Sequence, residues 1–297
     1  MPVTFTVPTA VGGQAPVTVT CTRTSGSAFA LGSTVVSCTA VDALARQASC
    51  NFNVTVTAAP RLSKTKFLAF GDSITVGRCN GKDTFCPPYS GRLETLLRAR
   101  YVRQTPTVQN VSVSGRTAAQ GEDLLPGVLS STAPEVLLLM MGTNDINGGE
   151  SAEGLESLED MVIIAKGQGR TVMLATIVPA RPGGPWDATA RAIPAFNDEV
   201  RAIAARHSVV LVDVFAALNA DIARYIGTDD LHPSEAGHQL IAETFYASIR
   251  SAFDNTPTDA FTVASSAPRS GWVDGPSRQG GIGTPLRPVV APRVRRP

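Results

Sequence analysis

From Lys66 to Phe253, short apolar runs alternate with stretches whose apolar residues recur every three or four positions. The runs Phe67–Phe70, Val108–Val113, Val136–Met141, Thr171–Ile177 and Val209–Val214 have strand length and predict five strands. Between them, Leu155/Leu158/Val162/Ala165 and Leu240/Ile241/Phe245/Ile249 carry the spacing of amphipathic helices. Alternation of this kind implies right-handed βαβ units and a parallel sheet covered on both faces. Sites in such sheets lie at the carboxyl ends of the strands, so motifs that directly follow an apolar run matter most.

Residues 1–59 follow another rhythm. They are rich in Thr, Val and Ser, alternate with period two, and break at Gly12-Gly13, Gly26 and Gly32. Cys21, Cys38 and Cys50 each share parity with the apolar residues of their stretch. A small sandwich with all three facing its core is the expectation. Residues 60–65 read as a linker. Residues 254–297, rich in Pro, Gly and Arg without periodicity, are expected to be disordered, for want of apolar surface to offset chain ordering.

Composition changes this picture little. The 297 residues are 43% hydrophobic with a formal net charge of +1, which gives no electrostatic reason to expect nucleic acid or an anionic membrane as partner. No apolar run approaches the ~20 residues of a transmembrane segment. The five cysteines match neither a zinc ribbon nor a CxxC redox pair, and only three histidines accompany them. Neither metal nor cofactor is expected. Cys79 and Cys86 bracket a polar loop that reads as disulfide-closed, so both halves of the chain read as oxidised, which favours an extracellular, secreted protein. The opening Met-Pro-Val-Thr-Phe has no basic n-region or apolar h-region. A leader outside this sequence is expected, with the cytoplasm as second choice.

Four short motifs carry the chemistry. The strand Phe67–Phe70 runs into Gly71-Asp72-Ser73-Ile74-Thr75, which holds a hydroxyl at the sheet's carboxyl end. Asp229-Asp230-Leu231-His232-Pro233-Ser234 precedes the last amphipathic stretch. A nucleophilic serine needs a neutral imidazole to take its proton, and that imidazole needs a carboxylate to fix its tautomer. The same segment also reads as a helix entry capped by Ser234 or Asp230. Gly142-Thr143-Asn144-Asp145 follows the third run, and Ser114-Gly115-Arg116 the second. An Asn amide or a glycine N–H there can donate to a developing oxyanion. Each motif alone is a common turn.

In order, Gly71-Asp-Ser73-Ile-Thr75, Gly115, Gly142-Thr-Asn144-Asp and Asp229-x-x-His232 resemble the four blocks of the SGNH/GDSL serine hydrolases. The resemblance spans about Phe67 to Phe253. It implies an α/β fold, a flavodoxin-like three-layer α/β/α sandwich around a parallel five-stranded sheet. It also implies that Ser73 attacks an ester carbonyl, His232 takes its proton and Asp229 orients the ring. The N–H groups of Ser73 and Gly115 and the Asn144 side chain would form the oxyanion hole. Activity should then fall on the acid side as His232 gains a proton, and chelators should leave it untouched. Residues 1–59, through Val17-Thr-Val-Thr-Cys21, Gly26-Ser-Ala-Phe29, Val36-Ser-Cys38-Thr-Ala-Val-Asp42 and Cys50-Asn-Phe-Asn-Val-Thr-Val56, resemble a hyalin-repeat (HYR) module, an immunoglobulin-like β-sandwich. That family's module is longer at its N-terminus, so a first strand is expected to be absent. The resemblance suggests a Cys21–Cys50 disulfide with Cys38 buried and free.

Other residues receive plainer readings. Asp72 braces the nucleophile turn. Asp230 rivals Asp229 but lacks the Asp-x-x-His spacing. His207 closes a helix, and His238 is structural within the last one. Ile177-Val-Pro179, Trp186 and the Cys79–Cys86 loop are candidates for the pocket rim. The expected function is hydrolysis of short- to medium-chain carboxylic esters, small-molecule or carbohydrate. Alternatives are a carbohydrate O-acetylesterase, a lysophospholipase or thioesterase, and an adhesive protein with a silent hydrolase domain. The N-terminal module would fit binding to a cell surface or polymer.

Overall fold

A computed structural model of the chain describes residues 2–81 and 84–255. The expected tail lies outside the described residues. Two compact units meet between Ala58 and Ala59.

In the first unit, β1 (Thr18–Cys21), β2 (Gly32–Val41) and β3 (Gln47–Val56) form one antiparallel sheet in the order β1-β2-β3. Val36, Cys38 and Ala40 of β2 are buried, as period-two alternation requires, and Phe5 and Phe29 pack onto the same face. Among the described residues the unit has this one sheet, and Val3 beside the phenylalanines and Ala10 and Val17 over Ala40 complete the cover of that face.

The cysteine pairing differs from expectation: Cys21 is bonded to Cys38, and Cys50 is the free thiol. Register explains this. Cys21 lies directly opposite Cys38, and Cys38 directly opposite Cys50, so β2 stands between the two cysteines expected to pair. Strands are spaced ~4.8 Å apart, so Cys21 and Cys50 sit two spacings apart, beyond the ~7 Å that a disulfide spans. Cys21 and Cys38 have Cα atoms 4.0 Å apart. Partial burial pushes the Cys50 thiol up from its ordinary value.

The second unit opens with β4 (Lys66–Gly71), α1 (Ser73–Val76), α2 (Tyr89–Arg100), β5 (Thr107–Asn110) and α3 (Ala118–Thr132). It continues with β6 (Val136–Met140), α4 (Thr143–Gly148), α5 (Ser151–Gly167), β7 (Thr171–Ala175) and α6 (Asp187–Arg206). The last elements are β8 (Val210–Val212), α7 (Val214–Asn219), α8 (Ile222–Tyr225) and α9 (Glu235–Phe253). The five strands are all parallel, in the order β5-β4-β6-β7-β8. This is the parallel sheet expected from the alternation of runs, in the three-layer α/β/α sandwich that the resemblance implies.

The apolar runs are continuous because both sheet faces are covered. Phe67 and Ala69 of β4, with Val136, Leu138 and Met140 of β6, pack beneath α2 and α9. Leu68, Phe70, Leu137 and Leu139 face α3, α5 and α6 instead. Chain order reverses between β4 and β5 on one side and β6 on the other, which opens a crevice at the carboxyl ends of β4 and β6. No helix among the described residues is long and apolar enough to cross a membrane.

Candidate active site

Ser73 is the first residue of α1, a helix of a single turn. Asp72 caps that turn through its side chain, with Oδ1 accepting the Ile74 N–H at 3.0 Å. Asp72 is fully enclosed. Burial drives its carboxyl up to about 7, the Ile74 N–H opposes this, and the charge of Asp145 adds to it. The bracing role read from the sequence thus falls to a carboxyl whose ionisation is opposed by burial.

Ser73 Oγ lies 2.9 Å from His232 Nε2, and His232 Nδ1 lies 2.6 Å from Asp229 Oδ2. A carboxylate only accepts, so Nδ1 carries the proton and Nε2 of the neutral ring is left to accept from the serine hydroxyl. Asp229 Oδ1 further accepts the backbone N–H groups of His232 and Leu231, at 2.9 and 3.2 Å. Burial opposes its ionisation. The His232 ring and these N–H groups outweigh that and hold the carboxyl below the usual carboxylate range. Asp230, the rival carboxylate, bonds Arg181 instead.

Gly115 sits at φ +81°, and its N–H has no protein partner among the described residues. Asn144 Nδ2 donates to the carbonyl of Arg116 at 2.9 Å, which fixes the amide beside Gly115 and leaves its second N–H for another acceptor. Gly142 delivers Asn144 into this position. At φ +129°, with an added Cβ only 2.4 Å from the Phe196 ring, no other residue fits there. Asp145 Oδ1 accepts the Ala118 N–H at 2.9 Å, tying the Asn144 turn to the start of α3. Its Oδ2 is buried without a partner among the described residues, and burial raises its carboxyl above the ordinary value.

Beside Gly115 lies a depression of about 690 Å³ lined by Val113, Ser114, Arg116, Gln120, Asp123 and Leu124. Val113 and Leu124 are about half exposed within it. The rim expected at Ile177–Pro179 and Trp186 is not part of this lining. Ile177, Val178 and Pro179 are buried, and Trp186 packs on the core beneath α5 and α6. Leu124 had left one trace in the sequence, an apolar residue on an otherwise polar helix face. Arg116 was hidden because its role is spatial: its guanidinium stacks 5.0 Å over the Phe70 ring.

Cys79 and Cys86 are joined as expected. Their loop reaches the Asp229–His232 segment, where Thr228 Oγ1 donates to the Asn80 carbonyl at 2.7 Å. His207 caps the end of α6 against Glu159, and His238 is wholly buried in α9. Neither touches the Ser73–His232–Asp229 chain.

Fold and site together define an α/β protein that carries a hydrogen-bonded Ser73–His232–Asp229 chain in its second unit. Residues 69–240 match the GDSL-like lipase/acylhydrolase family, and the chain belongs to that family, which makes it a carboxylic ester hydrolase. Residues 1–56 match the HYR domain. Over 144 residues the chain is 28% identical to Esterase TesA of Pseudomonas aeruginosa, covering 48% of this chain and 69% of that one. It is also 28% identical over 182 residues to an arylesterase of Vibrio mimicus, covering 60% and 84%. Among solved structures, the lipase/acylhydrolase from Enterococcus faecalis superposes with a TM-score of 0.56 at 20% identity, covering 65% of this chain and 100% of that one.

Proposed function

We propose that the protein hydrolyses short- to medium-chain carboxylic esters through an acyl-enzyme on Ser73. The observation that carries this reading is the continuous chain from Ser73 Oγ through His232 to Asp229, at 2.9 and 2.6 Å. Ser73 Oγ attacks the ester carbonyl as its proton passes to Nε2, and the Asp229 carboxylate steadies the imidazolium that results. His232 then gives the proton to the departing alcohol. Water, deprotonated by the same imidazole, attacks the acyl group and returns Ser73 with release of the acid. The N–H groups of Ser73 and Gly115 and the free N–H of Asn144 stabilise the negative oxygen in both halves.

A second reading, carbohydrate O-acetylester hydrolysis, draws on the same depression. Ser114, Gln120 and Asp123 offer hydroxyl-binding groups beside the apolar Val113 and Leu124. The two disulfides and the HYR domain suit an extracellular protein that acts on polymers or cell surfaces.

Hydrolysis of p-nitrophenyl esters from acetate to palmitate, with Ser73→Ala alongside, tests the proposal. Short-chain turnover that vanishes in the variant is expected, and acetylated sugars then separate the two readings. A long-chain optimum would redirect the assignment to lipids. No turnover above the variant on any ester would leave an adhesive protein with a silent hydrolase domain.

A further inference from the structure

The segment that carries Asp229 and His232 has little secondary structure of its own. It leaves α8, pairs Ile226 with Pro233 in an isolated bridge, and closes on itself through Gly227 N–H to the His232 carbonyl at 2.8 Å. Asp230, next to the orienting carboxylate, is a non-glycine residue at φ +66°. Such a conformation persists only where the surroundings over-determine it.

Those surroundings are the loop between β7 and α6. The Arg181 N–H donates to the Asp230 carbonyl at 2.8 Å. The Arg181 guanidinium donates from Nη1 to Asp230 Oδ1 at 2.6 Å and from Nη2 to the Ile226 carbonyl at 2.7 Å. One arginine therefore grips both the entry of the triad loop and the residue beside Asp229. Gly184 continues the embrace, since an added Cβ there would lie 2.4 Å from Asp230 Oδ2. On the other side Thr228 is held to Asn80. Ile226 and Leu231 anchor the loop in the core, and of these four hydrogen bonds that hold it from outside Arg181 makes three.

We infer that Arg181 and Asp230 are a positioning pair: the three hydrogen bonds that Arg181 gives, two to Asp230 and one to Ile226, hold Asp229 and His232 in register with Ser73, and neither residue touches the ester. The inference rests on the serine-hydrolase reading above. A planar guanidinium can serve two acceptors in fixed directions, whereas an ammonium can reach only one of them well. Displacing a reacting group by about 1 Å can cost 10²-fold in rate, so loss of the pair should appear in turnover rather than in substrate binding.

The test is steady-state kinetics on p-nitrophenyl acetate for wild type, Arg181→Ala, Arg181→Lys, Asp230→Asn and the Arg181→Ala/Asp230→Asn double variant, with Ser73→Ala as blank. Thermal unfolding identifies the folded proteins. Arg181→Ala should lose about 10- to 100-fold in kcat with KM within about two-fold. Arg181→Lys should recover part of that loss. The double variant should be little worse than Arg181→Ala, as coupled residues require. Wild-type kcat in Arg181→Ala overturns the inference, as does a rise in KM at unchanged kcat, which would make Arg181 a substrate contact. If Arg181→Ala does not fold, Asp230→Asn decides, and wild-type kcat there overturns the pair equally. Full turnover in Ser73→Ala would instead remove the hydrolase reading, and the pair's role with it.

Discussion

His238 donates its Nε2–H to the carbonyl of Arg78 at 2.8 Å while its Nδ1 lies buried without a partner among the described residues. Arg78 is the residue at which the chain enters the Cys79–Cys86 loop, and its Nε donates to Ser114 Oγ at 3.0 Å. A buried, neutral imidazole in the last helix thus supports the backbone between the Ser73 turn and the Ser114–Gly115 loop.

Burial drives the His238 imidazole down from 6.5 to about 4, against the pull of the Arg78 carbonyl, and the charge of Arg92 lowers it further. The sign follows directly. Between these two values the unfolded chain binds a proton that the folded protein refuses, so stability falls as pH falls from about 6.5 towards 4. A gap of this size, at ~1.4 kcal/mol per pH unit, is about 3 kcal/mol. Urea unfolding at pH 7 and pH 4.5 should show a steeper loss in wild type than in His238→Gln, which keeps an N–H for Arg78. Equal losses in the two proteins would mean that His238 is not the group responsible.

The disulfide Cys79–Cys86 closes a short loop whose Asn80 carbonyl receives Thr228. By chain entropy, a closure of this length contributes about 2–3 kcal/mol. Cys79→Ser/Cys86→Ser should lower the unfolding free energy by about that amount and reduce kcat several-fold, because the triad loop loses one of its two outside supports. Unchanged melting and unchanged kcat would show that the loop is an ornament of the rim.

Gly142→Ala should be among the costliest single substitutions in the enzyme unit. The new methyl group meets the Phe196 ring, and the backbone at φ +129° is one that L side chains rarely adopt. About 2–4 kcal/mol is expected from strain and overpacking together, with lowered kcat because Asn144 follows two residues on. Phe196→Leu in the same chain should relieve only the steric part. Full restoration by Phe196→Leu would show that the φ carries no cost.

Much of this was legible in the residues. The runs of β4, β6 and β7 are continuous because both faces of the strands are buried, and strands buried in this way read plainly from hydrophobicity alone. Three of the four motifs were legible because each follows a strand, and a parallel sheet gathers all such ends on one side; the fourth, Asp229-x-x-His232, lies between α8 and α9. What escaped depends on lateral order. Cys21 and Cys50 share the parity of a common face, but nothing in their spacing says that β2 lies between them. Arg181 and Asp230 are 49 residues apart and join only because the β7–α6 loop passes under the last loop. The lining by Gln120, Asp123 and Leu124 needs the first turns of α3 aimed past Gly115, which a helical period by itself does not state.

Asn144→Ala should lower kcat about 10²–10³-fold with little change in KM, the cost of one oxyanion donor. The Arg116 carbonyl, which accepts from Nδ2 at 2.9 Å, also loses its partner, so a modest fall in melting temperature is expected as well. Asn144→Asp keeps the volume but offers only acceptors, and should be at least as slow. Wild-type turnover in either variant would leave the oxyanion to the N–H groups of Ser73 and Gly115.

Acyl or alcohol preference should respond to Leu124, which stands half-exposed in the depression beside Gly115. An apolar chain laid there gains about 0.8 kcal/mol per methylene withdrawn from water, whereas an acetyl group is too short to reach far along it. Leu124→Asp should therefore lower kcat/KM for p-nitrophenyl hexanoate by about 5- to 20-fold, the worth of one or two methylenes with a charge placed in their path. Turnover of the acetate should stay within about two-fold. The ratio of the two rates cancels any general damage to the site. If both esters fall together, Leu124 acts through the packing of α3 and not on the substrate. If neither falls, the chain lies elsewhere and the depression is left for the alcohol half of the ester.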